Sequence, residues 1–426
     1  VRTQVLLNPN GSGGDVYPFL AIGQQLQRLG HHVGVMTNPH FKPQVGQAGL
    51  EFISVGQEDD LARVGRCLQA DSKSPAWKLA LRWTARSANE VVDYLAHRRL
   101  RYPTMLVGSP LSFGMRLVAE KHSVPMATLI LSPFVLRSVS ASPCMPPLWL
   151  EWWIPQYLKA WQYWAADHWA IDRELQPVLG PIRRQLGLPA IDRFMHRWCF
   201  SPDLNLGCFP DWFAPSQSDW PPGFQHVGPV HWDPWPHNPA TTDAIGKWAG
   251  SLGEKPVAIL AGSAGPPSAE FYRAWITATA SQDRGLIVLE QDLALFPRTL
   301  PSHVRVLPYL SLDQLLPQVS ALIHSGSIGA SLRCAAAGVP QLIFPRFNDQ
   351  YDNARRVQRL RLGIVLPRRE INNLKWWQAA CLLERLLLDV SIQQHCQHVA
   401  MRPFGSGVNS AANQIDSFFR QRGDQN

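Results

Sequence analysis

Charge is scarce in this chain: only 17% of its 426 residues are Asp, Glu, Lys or Arg. So little charge excludes a long coiled coil, and a hydrophobic content of 46% excludes a disordered protein. Long apolar runs are also missing. No uninterrupted stretch approaches the ~18 residues of a spanning helix, so no transmembrane segment is expected. Cysteine is thinly spread, at 67, 144, 199, 208, 334, 381 and 396, odd in number and without a CxxC. That excludes a disulfide framework and a zinc ribbon and fits a reducing compartment, so a cytoplasmic protein is expected. His395, Cys396 and His398 read as a surface helix, and no metal site is expected. The chain enters a strand pattern directly after Val1 and shows no signal-peptide pattern, which leaves open a leader already removed.

Tryptophan is present in excess, with 17 residues, beside 36 prolines. The indole is flat and apolar, so the excess implies a large apolar contact surface. The net charge of +8 is uneven. Residues 246–426 hold 19 basic against 13 acidic side chains, whereas residues 1–245 hold 21 against 19. An anionic ligand on the second half follows. The six arginines from Arg355 to Arg369 read as a solvated helix face. No interleaving of basic and aromatic residues supports nucleic-acid binding.

The length suits two or three domains, and periodicity gives their class. Gln4–Leu7 reads as a strand, 8–15 as a glycine-rich turn, Phe19–Leu29 as a helix and His32–Met36 as a strand. That is a βαβ unit. Met105–Val107, Ser112–His122 and Pro125–Leu131 repeat it, giving a parallel α/β sheet. Residues 148–200 are aromatic and helical without a strand signal. Residues 210–239 are crowded with proline and tryptophan, which precludes regular structure throughout. A second series follows, with strands expected at Pro256–Ala261, Leu286–Leu289, Val304–Leu307, Ala321–His324 and Gln341–Phe344. A helix over Ser410–Arg420 ends the pattern.

The sharpest segment runs from His324 to Pro345: strand, turn at Gly326–Gly329, helix, Gly338 stop, strand. A helix opening on such a turn aims free N–H groups and a positive dipole end at it, which seats a phosphate. The bland alternative is close packing of helix on strand. No Walker lysine follows, and the dinucleotide spacing is absent. Asp349 and Gln350 come directly after the next strand, where open α/β sheets bind ligands. Adjacent Asp and Gln can accept from and donate to several sugar hydroxyls. Phosphate seat, polyol pair and basic bias together suggest a nucleotide sugar.

His324 to Gln350 resembles the donor-binding signature of family 1 glycosyltransferases, the two-domain GT-B enzymes. Tyr309-Leu-Ser-Leu-Asp-Gln-Leu-Leu-Pro317 is similar to the segment before it, which implies that Tyr309 and Leu310 meet the nucleobase. Gly11-Ser-Gly-Gly-Asp15-Val-Tyr-Pro18 resembles the N-terminal loop of the sterol and antibiotic branches. Asp219-Trp-Pro221 with His226-Val-Gly228 is similar to the segment before their linker. The run Phe209-Pro-Asp-Trp-Phe-Ala-Pro215 and Asp349-Gln-Tyr-Asp-Asn-Ala354 resemble the rhamnosyltransferase branch that glycosylates hydroxy-fatty-acid lipids, beside the sterol glucosyltransferase-like one. The chain departs from the family pattern at Ser325, Ser327, Ala330 and Gly13, which stand for a His, a Gly, a Thr and an Arg.

The resemblance implies an α/β GT-B fold, with two Rossmann-like domains whose parallel sheets face across a cleft. The expected boundaries are an acceptor domain over 1–230, a linker over 231–245 and a donor domain over 246–405. A helix over 406–426 crosses back to the first domain. The implied reaction is inverting transfer from a UDP- or dTDP-sugar to a hydroxyl of a lipid, sterol-like or polycyclic acceptor, with no bound cofactor. A silent binding partner and a nucleotide-sugar epimerase are the other readings.

Asp15 is the implied base, and an N-cap role is its alternative; as a cap, the helix dipole would keep its pKa low. His324 is expected to stabilise the leaving diphosphate. Gly262, Ser263, Gly326, Ser327, Ile328, Gly329, Asp349 and Gln350 complete the donor side. The acceptor side comprises Gly11, Ser12, Gly13, Phe134, Trp149 and Trp153, with Arg137 and Ser138 near them. Trp149, Trp153, Tyr157, Trp161, Trp164 and His168 recur at helical steps, although Pro155 should break the helix. That stripe reads either as core or as the wall of an apolar acceptor site, with peripheral membrane contact left open.

Overall fold

The structure, a computed structural model, describes residues 3–60, 62–63, 76–97, 103–235, 239–262, 268–371 and 373–423. The chain forms two compact units, Val1–Pro234 with Gly405–Asn426, and Trp235–Phe404. Each is built on one parallel sheet, so the chain has the expected α/β fold of two Rossmann-like units.

In the first unit the strands are β1 (Gln4–Asn8), β2 (His32–Thr37), β3 (Glu51–Ser54), β4 (Thr104–Gly108), β5 (Met126–Ile130), β6 (Leu204–Gly207) and β7 (Phe224–His226). Their order is β3-β2-β1-β4-β5-β6-β7. β1, β4 and β5 are buried along their whole length, as strands covered on both faces must be, so they read as continuous apolar runs. The second unit carries β8 (Val257–Leu260), β9 (Leu286–Leu289), β10 (Val304–Leu307), β11 (Ala321–His324), β12 (Gln341–Ile343) and β13 (Gly363–Val365). Their order is β10-β9-β8-β11-β12-β13. Both sheets therefore reverse direction once, between β1 and β4 and between β8 and β11. The crevice outside the strand ends at such a reversal is where open α/β sheets bind ligands.

Several expectations are corrected. The first helix spans Gly13–Arg28, six residues earlier at its start than the apolar period indicates. Glycines lower helix propensity, but the Ser12–Asp15 cap and burial of Val16 outweigh it. Pro155 breaks no helix, because it caps one: Gln156–Ala166 begins directly after it. The stripe from Trp149 to His168 thus runs through an irregular segment and a helix rather than along one helical face. A helix, Pro239–Gly250, begins inside the stretch read as linker. The helix Gly407–Gly423 packs on helix Gly13–Arg28, and its Ala411, Ala412, Ile415 and Phe419 enter the first unit's core. His31 Nε2 meets Asp416 Oδ1 at 3.0 Å beside them. Among the described residues no helix is long and apolar enough to cross a membrane.

The register of β12 against β13 allows no side chain at Gly363, where a Cβ would lie 2.0 Å from the Gln341 carbonyl oxygen. Gly363→Ala should cost about 3 kcal/mol or more of stability, because backbone must move. Urea denaturation reads the loss, and an unchanged midpoint would contradict the close approach.

Candidate active site

The first reversal point carries Asp15. β1 ends at Asn8, whose side chain donates to the Met36 carbonyl at 2.7 Å. Asn10 Nδ2 reaches Ser112 Oγ at 3.1 Å, and Ser112 Oγ donates to the Asn8 carbonyl at 2.5 Å, so the end of β4 braces the turn. Gly11 follows with φ +133°, and a Cβ there would lie 2.1 Å from Asp15 Oδ2. Glycine is required both for that backbone and for the space under the carboxylate. Asp15 Oδ2 accepts from the Ser12 N–H at 2.7 Å and from the Ser12 hydroxyl at 3.1 Å. One oxygen is anchored, and Oδ1 has no hydrogen-bond partner among the described residues. Burial raises this carboxyl above its ordinary pKa, and the Ser12 hydrogen bonds offset that only in part. The expectation of a low pKa is therefore corrected: loss of water outweighs the cap.

Gly13 sits against the Tyr17 ring, 2.9 Å from where its Cβ would be. Phe134 lies in the short turn Pro133–Val135 after β5, at the same edge of the sheet. Arg137 is paired with Asp167, which is fully buried and also meets Arg193 Nε at 3.1 Å. Ser138 accepts two loop N–H groups through its hydroxyl and the Tyr163 hydroxyl through its carbonyl. Arg137 and Ser138 thus brace the segment. Trp149 and Trp153 are 75% and 63% exposed, which excludes core packing for them.

The second reversal point gathers the donor-side residues. Gly262 ends β8 with φ +83°, and its missing Cβ would lie 3.0 Å from Ser325 Oγ at the end of β11. Ser263 lies outside the described residues. Gly326 has φ +89°, with Ile343 Cγ2 2.7 Å and the Gln350 carbonyl 3.2 Å from its Cβ position. Ser327 caps the helix Ile328–Ala337 without a side-chain cap bond and is exposed. Gly329 is exposed with nothing within 4 Å of its Cβ position. The helix start is therefore open to solvent, and its first-turn N–H groups have no intrahelical partner. Ala330 and Ser331 are buried, so Ser331 does not replace the family's threonine.

His324 is corrected. It is 1% exposed, its Nδ1 accepts from Gly326 N–H at 3.1 Å, and its Nε2 donates to Gln341 Oε1 at 3.1 Å. Burial lowers its pKa to about 4, so the ring is neutral near neutral pH and supplies no positive charge to a diphosphate. Its part is to fix the Gly326 turn. Gln341, which sequence reasoning missed, carries the chain onward by donating to the Ser331 carbonyl at 3.1 Å.

Asn353 also went unassigned. It is fully buried, and its Nδ2 donates to the Gly326 carbonyl and to Asp349 Oδ2, both at 3.0 Å. One amide thereby joins the turn to the Asp349 carboxylate. Gln350 is buried, and its Oε1 accepts from Arg346 N–H at 2.9 Å, so that oxygen holds the loop and is not offered to a ligand. Leu310 is packed in the core and offers only its backbone. Tyr309 meets the half-exposed Trp235 with ring centroids 5.5 Å apart.

His324 makes stability depend on pH. The unfolded chain takes a proton near the ordinary 6.5, the folded one only near about 4. Stability is complete above 6.5 and falls as pH drops through that window. At about 1.4 kcal/mol per pH unit the loss approaches ~3 kcal/mol. His324→Asn keeps an acceptor without the titration, so its stability should fall less between pH 7 and 5 in urea denaturation. Equal falls would contradict the buried neutral ring.

Two family models match this chain. Residues 5–140 match the glycosyltransferase family 28 N-terminal domain, and residues 275–403 match the erythromycin biosynthesis protein CIII-like C-terminal domain. The O-mycaminosyltylonolide 6-deoxyallosyltransferase of Streptomyces fradiae is 23% identical over 84% of each chain. Among solved structures, the calicheamicin glycosyltransferase CalG4 superposes with a TM-score of 0.71 at 21% identity, covering 99% of both chains. The glycosyltransferase VinC in complex with dTDP gives 0.68 at 15% identity, covering 98% of this chain and 100% of its own. Matched in both halves and along nearly its whole length, the chain belongs to the family 1 glycosyltransferases of GT-B fold.

Proposed function

We propose that this enzyme transfers a sugar, with inversion, from a dTDP- or UDP-linked donor to a hydroxyl of an apolar acceptor. The observation that carries the donor is the open helix start at Ser327–Gly329, where Ser327 makes no side-chain cap bond and nothing lies within 4 Å of the Gly329 Cβ position. A diphosphate seated there gains charge-assisted hydrogen bonds and the helix dipole. Ser327 supplies the hydroxyl that Ala330 lacks, so the departures from the family pattern give no support to a silent protein or an epimerase. Gly262 borders the same turn, and Asp349 offers a carboxylate for sugar hydroxyls, held through Asn353. Tyr309, with the Leu310 backbone and Trp235 beside it, receives the nucleobase. VinC, solved with dTDP, supports a thymidine-linked donor.

On the acceptor side, Gly11 and Ser12 border Asp15, Gly13 and Phe134 lie at the same edge of the sheet, and Trp149 and Trp153 offer apolar surface. Asp15 Oδ1 takes the acceptor proton as the oxygen attacks the anomeric carbon and the nucleotide diphosphate leaves. Oδ2 stays anchored by Ser12, so cap and base are the same residue. The raised pKa makes it a stronger base than an ordinary carboxylate. The exposed aromatic side chains favour a lipid or polycyclic acceptor, met at a membrane surface. The described cysteines are all free, which suits the cytoplasm.

Asp15→Asn preserves shape and the Ser12 contact but removes the base. Turnover should fall roughly 100-fold or more with donor affinity unchanged. The wild-type rate should rise with pH as Asp15 loses its proton, with a midpoint above the ordinary carboxylate range. Steady-state kinetics of nucleotide release measure both, and full activity of the variant would remove Asp15 from the reaction.

A further inference from the structure

We propose that the tryptophan-rich surface over 149–169 docks the enzyme on a phospholipid bilayer interface. The proposal names the surface behind the membrane contact in the reading above and rests on that reading only for its purpose. Trp149, Trp152, Trp153, Trp161, Trp164 and Trp169 stand 40–85% exposed, together with Tyr157 and Leu158. A large exposed apolar patch marks an interaction site. This one is preformed, because Trp164 stacks on His168 at 5.4 Å and Trp169 meets Trp161 and Trp164 edge-on at 6.4 and 5.6 Å.

The indole N–H groups point to the partner. Elsewhere Trp83, Trp198 and Trp232 donate to Asp60, Glu120 and Gln24, whereas the buried Trp220 and Trp275 have no acceptor among the described residues. None of the six does so to any described residue. A rigid protein partner would have to bring a fixed acceptor to each of them. A bilayer interface supplies ester carbonyls, phosphate oxygens and water wherever an indole lands.

Charge points the same way. Lys159 is buried with its ammonium 3.4 Å from the Val139 carbonyl, and Asp167 is buried between Arg137 and Arg193. Glu151, His168 and the phenol of Tyr157 are the ionisable side chains left exposed from 149 to 169. On the neighbouring elements Arg173, Arg184, Arg197 and Asp192 are exposed, which with Glu151 leaves a small positive balance. A nearly neutral face complements a zwitterionic lipid surface rather than an acidic or basic protein.

At the tip the Trp149 backbone is closed as well. Gln162 accepts from the Trp149 N–H and donates to the Trp149 carbonyl, both at 2.7 Å. An exposed loop gains little from this in water. A loop leaving water needs it, since unpaired peptide groups are costly to desolvate.

The test is co-sedimentation of the full chain with phosphatidylcholine vesicles, without donor or acceptor, together with tryptophan fluorescence on lipids brominated in the acyl chain. Binding, a blue shift and bromine quenching are expected, and several-fold more salt should leave binding intact. Trp152→Ala with Trp161→Ala and Trp169→Ala should lower partitioning roughly tenfold or more, because apolar area leaves the interface. Thermal midpoint and dTDP affinity should stay unchanged in that variant. Absence of wild-type binding, or equal binding by the variant, would overturn the proposal. So would a lipid-independent dimer that the substitutions abolish, which would assign the surface to a second copy. Since neither donor nor turnover enters the assay, its failure leaves sugar transfer standing.

Discussion

The hydrogen bond from the Gly326 N–H to His324 Nδ1 sets the turn on which the proposed donor site is built. It holds a left-handed glycine at the end of β11, and that glycine turns the chain into the helix Ile328–Ala337. The bond needs a neutral ring with its proton on Nε2, which burial and the Gln341 acceptor enforce. From the same turn the Gly326 carbonyl reaches Asn353 and, through it, Asp349. The parts assigned to phosphate and to sugar therefore hang on one small buried network. Its described hydrogen bonds go to each other and to backbone, while the buried Asn353 Oδ1 has no partner among the described residues.

The first unit solves a different problem with the same device. A helix start at a reversal point again presents its N-terminal end, but here a carboxylate fills it. Asp15 satisfies the Ser12 N–H and stands where Gly11 leaves room. An anion-seeking position thus holds a residue whose second oxygen has no partner among the described residues. Where the second unit offers donors to a ligand, the first offers an acceptor. In the proposed reaction the first unit supplies the base and the second the phosphate seat, two functions that sugar transfer requires.

Much of this was legible in the sequence, for physical reasons. Buried parallel strands leave continuous apolar runs, so β1, β4, β5, β8, β9, β11 and β12 could be located, and β2 and the half-buried β10 were legible beside them. The strands β3, β6, β7 and β13 are no shorter than several of these, but polar residues or glycine interrupt their apolar runs. Glycines at 11, 326 and 329 marked the turns, because the backbone there needs φ > 0 or open approach. Partners were illegible: Gln341 lies 17 residues from His324, and Asn353 lies 27 from Gly326. Nothing in a one-dimensional pattern joins them. The same gap misassigned His324, whose type suggests charge while its burial forbids it. Trp149 to Trp169 had the spacing of a packed face, yet exposure decides between core and surface, and exposure is a tertiary property.

We place the donor's diphosphate at the Ser327–Gly329 helix start, and Gly329→Asp tests that placement most directly. The site is open, so the side chain fits, and an acidic residue in the first helical turn should leave the thermal midpoint unchanged or raised. Its carboxylate would occupy and repel what the seat holds. Calorimetric titration should then show dTDP binding weakened roughly a hundredfold, the scale of one like-charge contact in a partly buried site. A stable variant that binds dTDP as the wild type does would contradict the placement.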